Sequence, residues 1–187
     1  REPLPLCPRR AGVNGTKPSF SPGAGGHGGT LNPFAFIAAV KEFFDGTIIL
    51  SGSLSTGQDV AAALLMGADY AYMGTRFLAV EESSAPEEYK QMVIDSSIED
   101  ILYTDSFSGV PVNVLIPSLE KQGIDPKTLK PKKEVDLSHL VNAKAWRDIW
   151  SAGHGVTTVT KRETVKQVVE KLEQEYAEGV GARVRNH

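Results

Sequence analysis

The chain has 187 residues, a net charge of −3 and a sequence pI near 5.8, and its 41% hydrophobic and 23% charged residues predict a folded domain with a real core rather than a disordered chain. Its basic residues are scattered, and the one run of them, KPKKEVD (130–136), meets acids at once, which argues against a nucleic-acid or anionic-membrane surface as partner. Cys7 is the only cysteine, so neither an internal disulfide nor a cysteine metal cluster can form, and a reducing, cytoplasmic setting is expected.

No apolar run approaches the roughly 18 residues that a membrane helix needs. The first 22 residues, REPLPLCPRRAGVNGTKPSFSP, lack the apolar centre of a signal peptide. Five prolines and no periodic apolar segment predict an irregular tail there. GAGGHGGT (23–30) then sets five glycines around one imidazole, His27. Glycine loses the most conformational entropy on ordering, so such a cluster is costly unless the backbone needs positive φ or must approach something closely. The segment is either a mobile loop or one built around a ligand.

LNPFAFIAAVKEFFDG (31–46) predicts a helix: Asn32 can cap it, Pro33 suits the first helical position, and Phe34, Ile37, Val40 and Phe44 recur at helical spacing before Asp45 and Gly46. TIILS (47–51) is the short continuous apolar run of a strand buried on both faces. The turn SGSLSTG follows, and then a helix, QDVAAALLMG, that Thr56 can cap and Gly67 can end. DYAYM (69–73) repeats the strand and Gly74–Thr75 the glycine turn. Such alternation predicts parallel strands with crossover helices, in a doubly wound sheet or a (β/α)₈ barrel.

Beyond Glu82 the pattern is mostly helical: APEEYKQMVIDSS (85–97), ILYT, NVLIPSLEKQG (113–123), a Pro/Lys-rich linker (124–137), AKAWRDIWSAG (143–153) and an amphipathic helix over about 163–178. The three glycine-bearing loops each fall where a strand hands over to a helix, the end at which parallel α/β folds bind ligands. Converging N–H groups at Gly52 and Gly74, next to helix N-termini, suit a phosphate, although glycines also serve tight turns for their own sake.

GAGGHGGTLNPFAF, SGSLSTGQDVAAALLMGADYAYMGTRFLAVEES, YKQMVIDSS and AKAWRDIWSAGHG together resemble the C-terminal part of the nitronate monooxygenases, formerly 2-nitropropane dioxygenases, from about Gly23 to Tyr176. The resemblance implies a (β/α)₈ TIM barrel and FMN as cofactor. It implies oxidation of a small anionic alkyl nitronate with molecular oxygen, without nicotinamide or metal. His27 falls on the family's active-site histidine. Gly52 and Ser53, with Gly74 and Thr75, fall on its flavin-phosphate loops, and Gly25 and Gly26 on the main chain against the flavin. An imidazole that can donate a hydrogen bond or accept a proton at neutral pH suits a nitronate anion.

The other candidates read more plainly. The resemblance puts His154 near the barrel mouth, for a flavin-edge or substrate contact, while His139 and His187 are expected on the surface. Trp146 and Trp150, four residues apart, read as core packing. Arg76 reads as a support for the loops or a partner for an acid, and EEYK as a solvated helix face.

Only the last two of eight barrel strands are found in order, because NGTKPSFSP stands where an apolar strand should precede GAGGH. The expectation is therefore a truncated family member. Residues 1–22 are foreign or misframed tail, 23–82 the last βα units of the barrel, 83–142 a small mostly helical segment, 143–180 closing helices and 181–187 a tail. An open sheet edge and exposed barrel faces favour self-association. A non-catalytic barrel remnant and a flavin-dependent enoyl-carrier-protein reductase are the alternative readings.

Overall fold

A computed structural model describes residues 16–20, 23–132 and 148–184. His139, Trp146 and His187 lie outside the described residues. In chain order the elements are β1 (Thr16–Phe20), β2 (Gly26–His27), α1 (Pro33–Lys41), β3 (Thr47–Ser51), α2 (Gly57–Met66) and β4 (Tyr70–Tyr72). They continue with α3 (Glu87–Asp95), β5 (Ile101–Thr104), β6 (Val112–Leu115), α4 (Ile116–Lys121) and α5 (Val165–Val184). Short 3₁₀ turns at Thr75–Phe77 and His154–Thr158 complete the parts that matter below.

Local chemistry explains the elements of the first half. Asn32 accepts the Phe34 N–H at 3.0 Å and Pro33 opens α1. Thr56 and Asp59 form a reciprocal capping box on α2, which Gly67 closes with φ at 101°, a conformation that suits glycine. Asp69 ties the start of β3 to the turn before β4, its carboxylate accepting from the Ile48 N–H at 2.7 Å and its own N–H donating to the Ile48 carbonyl at 2.8 Å.

β1, β3 and β4 form one parallel sheet in the order β1-β3-β4. The register places Ile49 beside Tyr70 and Ser51 beside Tyr72, so these side chains share a face, while Ile48, Leu50 and Ala71 point the other way. Among the described residues the helices cover that second face: Ile48 and Leu50 pack with Phe36, Ile37 and Val40 of α1 and Ala63 of α2. Each fully buried aliphatic side chain there contributes about 1.5–3 kcal/mol. One face under helices and the other reserved for the interior is the layering of a (β/α)₈ barrel wall.

Two expectations are corrected. Residues 1–22 are not wholly irregular, since Thr16–Phe20 is a strand paired with β3 from Thr16↔Thr47 to Phe20↔Ser51. Ladder bonds are made by main chain, so pairing does not need an apolar sequence, and Pro18 is tolerable because β1 is an edge strand among the described residues. Within the segment 83–142, the described part, 83–132, is not mostly helical either. NVL belongs to β6, which pairs antiparallel with β5 and with β2 in a second sheet of order β2-β6-β5. β6 is buried on both faces, between Val93, Ala152 and Val156 on the Leu115 side and Leu119 and Ile149 on the Val112 and Val114 side. A strand of that kind carries no alternation to distinguish it from a buried helix. Among the described residues no helix is long and apolar enough to cross a membrane.

Candidate functional site

Four loops meet at the carboxyl ends of the parallel strands. The Gly23 carbonyl accepts from the Ser53 N–H at 3.3 Å and the His154 N–H at 2.9 Å, and the Thr75 hydroxyl accepts from the Gly153 N–H at 2.8 Å. Contacts this close leave no room for side chains. A Cβ on Gly153 would stand 2.3 Å from the Gly23 carbonyl oxygen, and one on Gly25 would stand 2.9 Å from the Gly153 nitrogen.

The loops enclose a cavity of about 200 Å³. Gly25, Gly52, Ser53, Gly74 and Thr75 all line it, so five of the seven residues expected at the site are brought together. Gly26 and His27 are not among the lining residues. They form β2, beside Asn113 and Val112 of β6, with His27 exposed two residues along the chain from Gly25. His154 stands beside the cavity, its ring where a Cβ on Gly23 would go, 2.5 Å from Nδ1.

Among the described residues none that lines the cavity is charged. Arg76, directly after Thr75, turns away: it is buried and its Nη2 donates to Glu163 Oε2 at 2.7 Å. Burial pushes the Glu163 carboxyl up, yet the hydrogen bond and charge of Arg76, with Lys161 and Lys171 behind them, hold it below the usual glutamate range. Among the described lining residues an anion in the cavity would therefore meet hydroxyls and main-chain N–H groups and no carboxylate.

At α2 part of the helix end is occupied by the protein itself. Asp59 accepts the Ser55 and Thr56 N–H groups, each at 2.8 Å, Glu175 of α5 accepts the Gly57 N–H at 2.8 Å, and the Thr56 hydroxyl accepts the Asp59 N–H at 3.1 Å. Ser53 and the Gly74–Thr75 turn face the cavity from two of the loops. Gly52 and Ser53 both have positive φ, 110° and 60°. The left-handed conformation at a serine costs about 1–2 kcal/mol, a cost that marks places where the backbone is shaped for a purpose. A Cβ on Gly74 would have nothing within 4 Å, so open space faces that turn.

Several neighbours were not foreseen from the sequence. Tyr89 lines the cavity, gives its hydroxyl proton to the Ser151 carbonyl and stacks on Trp150 with ring centroids 4.9 Å apart. Burial raises its pKa, so the hydroxyl stays protonated. Trp150 packs against the second core, as expected of it. Lys90 of the EEYK stretch is buried rather than solvated and donates to the Glu81 carbonyl at 3.3 Å. Asn113 is fully buried, and its Oδ1 has no hydrogen-bond partner among the described residues, a cost of about 1–3 kcal/mol. Nor do any three His, Cys, Asp or Glu side chains gather as a metal site among the described residues.

Parallel strands walled by crossover helices, with a glycine-built cavity at their carboxyl ends, define part of an α/β barrel of the ligand-binding kind. The nitronate monooxygenase family model matches residues 21–175, and the chain belongs to that family, one of oxidoreductases. A Bacillus subtilis protein named "Probable nitronate monooxygenase" is 27% identical over 170 residues, 81% of this chain and 49% of its own. Among solved structures, nitroalkane oxidase from Streptomyces ansochromogenes matches 90% of this chain and 53% of its own, with 29% identity and a TM-score of 0.68. A FabK point mutant from Thermotoga maritima matches 91% and 54%, with 26% identity and a TM-score of 0.69. The chain thus spans about half the length of these relatives.

Proposed function

We propose that the chain carries the flavin-phosphate loops and the active-site histidine of an FMN-dependent nitronate monooxygenase, which oxidises a small anionic alkyl nitronate with molecular oxygen. The observation that supports this reading best is the convergence of Gly25, Gly52, Ser53, Gly74 and Thr75 on one cavity that no charged side chain lines among the described residues, with His27 two residues along the chain from Gly25. In the proposed arrangement the Ser53 and Thr75 hydroxyls and the main chain of the Gly52 and Gly74 turns hold the FMN phosphate. Gly25 and Gly26 let the backbone lie against the ring. Bound FMN supplies the electron acceptor for the oxidation. His27 donates a hydrogen bond to the nitronate, or accepts its proton, at neutral pH. The single cysteine and the composition suit a cytoplasmic enzyme.

The test is His27→Ala in the flavin-loaded protein. The phosphate loops are separate from the imidazole, so flavin stays bound while nitronate oxidation falls by about 10²- to 10⁴-fold, the usual loss for a positioned acid or base. Oxygen uptake with propyl nitronate measures it, and unchanged turnover removes His27 from the active-site role.

A further inference from the structure

Asn113 and Tyr103 stand side by side on β6 and β5, in register with each other and, through Asn113, with Gly26 of β2. Tyr103, Asn113 and Gly26 therefore form one cross-strand row. Both side chains reach past β2 to carbonyls on either side of His27: Asn113 Nδ2 donates to the Ala24 carbonyl at 2.7 Å, and the Tyr103 hydroxyl donates to the Gly28 carbonyl at 3.1 Å. A Cβ on Gly28 would meet Asn113 Nδ2 at 3.2 Å, so the strip is drawn tight against the amide. From these contacts we infer that Asn113 and Tyr103 are positioning residues, a two-point clamp that fixes the main chain on both sides of His27 and so aims its imidazole.

Packing alone does not account for an asparagine here. The side chain is wholly buried and its Oδ1 has no partner among the described residues, so an apolar residue of the same shape would spare one orphaned acceptor. What the amide supplies and a leucine cannot is the donor for Ala24. Tyr103 lies on β5, an edge strand among the described residues, and is 40% exposed; its hydroxyl donates to Gly28, and its ring Cε2 would stand 3.6 Å from a Cβ there. Burial, and then the charge of Asp105, raise its pKa, which keeps the donor proton in place through neutral pH.

This inference rests on the proposed role of His27, so the test has an arm that does not depend on turnover. Amide hydrogen exchange over residues 24–29 is measured in Tyr103→Phe and Asn113→Leu, each of which removes one donor. Protection of that segment falls about tenfold in each, the change that loss of one hydrogen bond typically brings, while β3 keeps its protection. His27→Ala leaves the same segment protected. In the turnover arm both variants lower kcat for a nitronate more than they raise KM and leave flavin content unchanged. Unchanged exchange in both variants overturns the clamp. Loss of protection spread equally through β3 overturns it as well, by making the pair a general support of the fold. Faster exchange with an unchanged kcat overturns the positioning role. A wild-type protein that oxidises no nitronate removes the functional reading, and the exchange arm still decides the clamp.

Discussion

Arg76 and Glu163 form a buried ion pair 2.7 Å apart that joins the turn after β4 to the segment leading into α5, whose Glu163 carbonyl also accepts the Glu81 N–H at 3.0 Å. Removing one member leaves an uncompensated buried charge, whereas replacing both by apolar residues of similar size does not. Glu163→Gln is therefore expected to lower unfolding free energy by about 3–5 kcal/mol. The double variant Arg76→Met with Glu163→Leu stays closer to wild type than either single one. Urea midpoints decide it, and a double variant as weak as the sum of the singles rejects the argument.

The same pair sets a pH dependence. The folded-state pKa of Glu163 lies below its unfolded value, so its contribution is complete above the unfolded value of about 4.3 and disappears as pH falls through the lower folded value. Wild type thus loses stability on acidification below about pH 4, and Glu163→Gln loses less over the same range. Parallel acid slopes for the two proteins in urea titrations at successive pH values count against this assignment.

Gly74 separates fold from cofactor. Its φ is −109° and a Cβ there would meet nothing within 4 Å, so Gly74→Ala leaves stability within about 0.5 kcal/mol of wild type. Gly74→Asp places a carboxylate at a cavity proposed to hold a phosphate, where like charges repel. Flavin content after purification falls sharply for the aspartate variant and not for the alanine variant. Equal flavin in both removes Gly74 from the phosphate site.

Gly57 tests the far end of the other proposed phosphate loop, the one that runs from Gly52 into α2. A Cβ on it would lie 2.0 Å from the Leu172 carbonyl oxygen and 2.4 Å from the Tyr176 nitrogen, so Gly57→Ala must push α5 off α2 and break the bond from the Gly57 N–H to Glu175. The expected loss is about 3 kcal/mol or more, in the range of severe overpacking. A melting temperature within a degree of wild type contradicts that contact.

These contacts mark what a single sequence can and cannot reveal. β3 and the caps at Asn32, Thr56 and Gly67 were legible because their causes lie within four or five residues. The Gly52 and Gly74 loops were legible as neighbours because parallel strands joined by crossover helices put them at one end. Glu175 was invisible at α2, since the carboxylate that occupies its N-terminus is 118 residues away. The β2-β6-β5 sheet was hidden for a related reason: Gly26 and His27 are a strand only because β6, some 85 residues on, supplies the pairing groups. The same non-local pairing makes a strand of Thr16–Phe20 against the reading of its own residues.

The last expectation concerns the uncovered face of the parallel sheet. Tyr70 and Tyr72 are 62% and 60% exposed on the side away from the helices, and among the described residues β4 pairs on one edge only. An open edge beside exposed aromatic side chains is a template for another chain, and a lysine on such an edge opposes pairing through charge and its solvation. We therefore expect the 187-residue chain to self-associate with increasing concentration, and Tyr70→Lys to reduce that association. Tyr70 is the better probe because Tyr72 also lines the cavity. Its side chain is already in solvent, so the fold loses little by the change. Sedimentation velocity over a hundredfold range of concentration measures both proteins. A wild-type chain that stays monomeric throughout, or a lysine variant that associates as strongly as wild type, excludes this face as the contact.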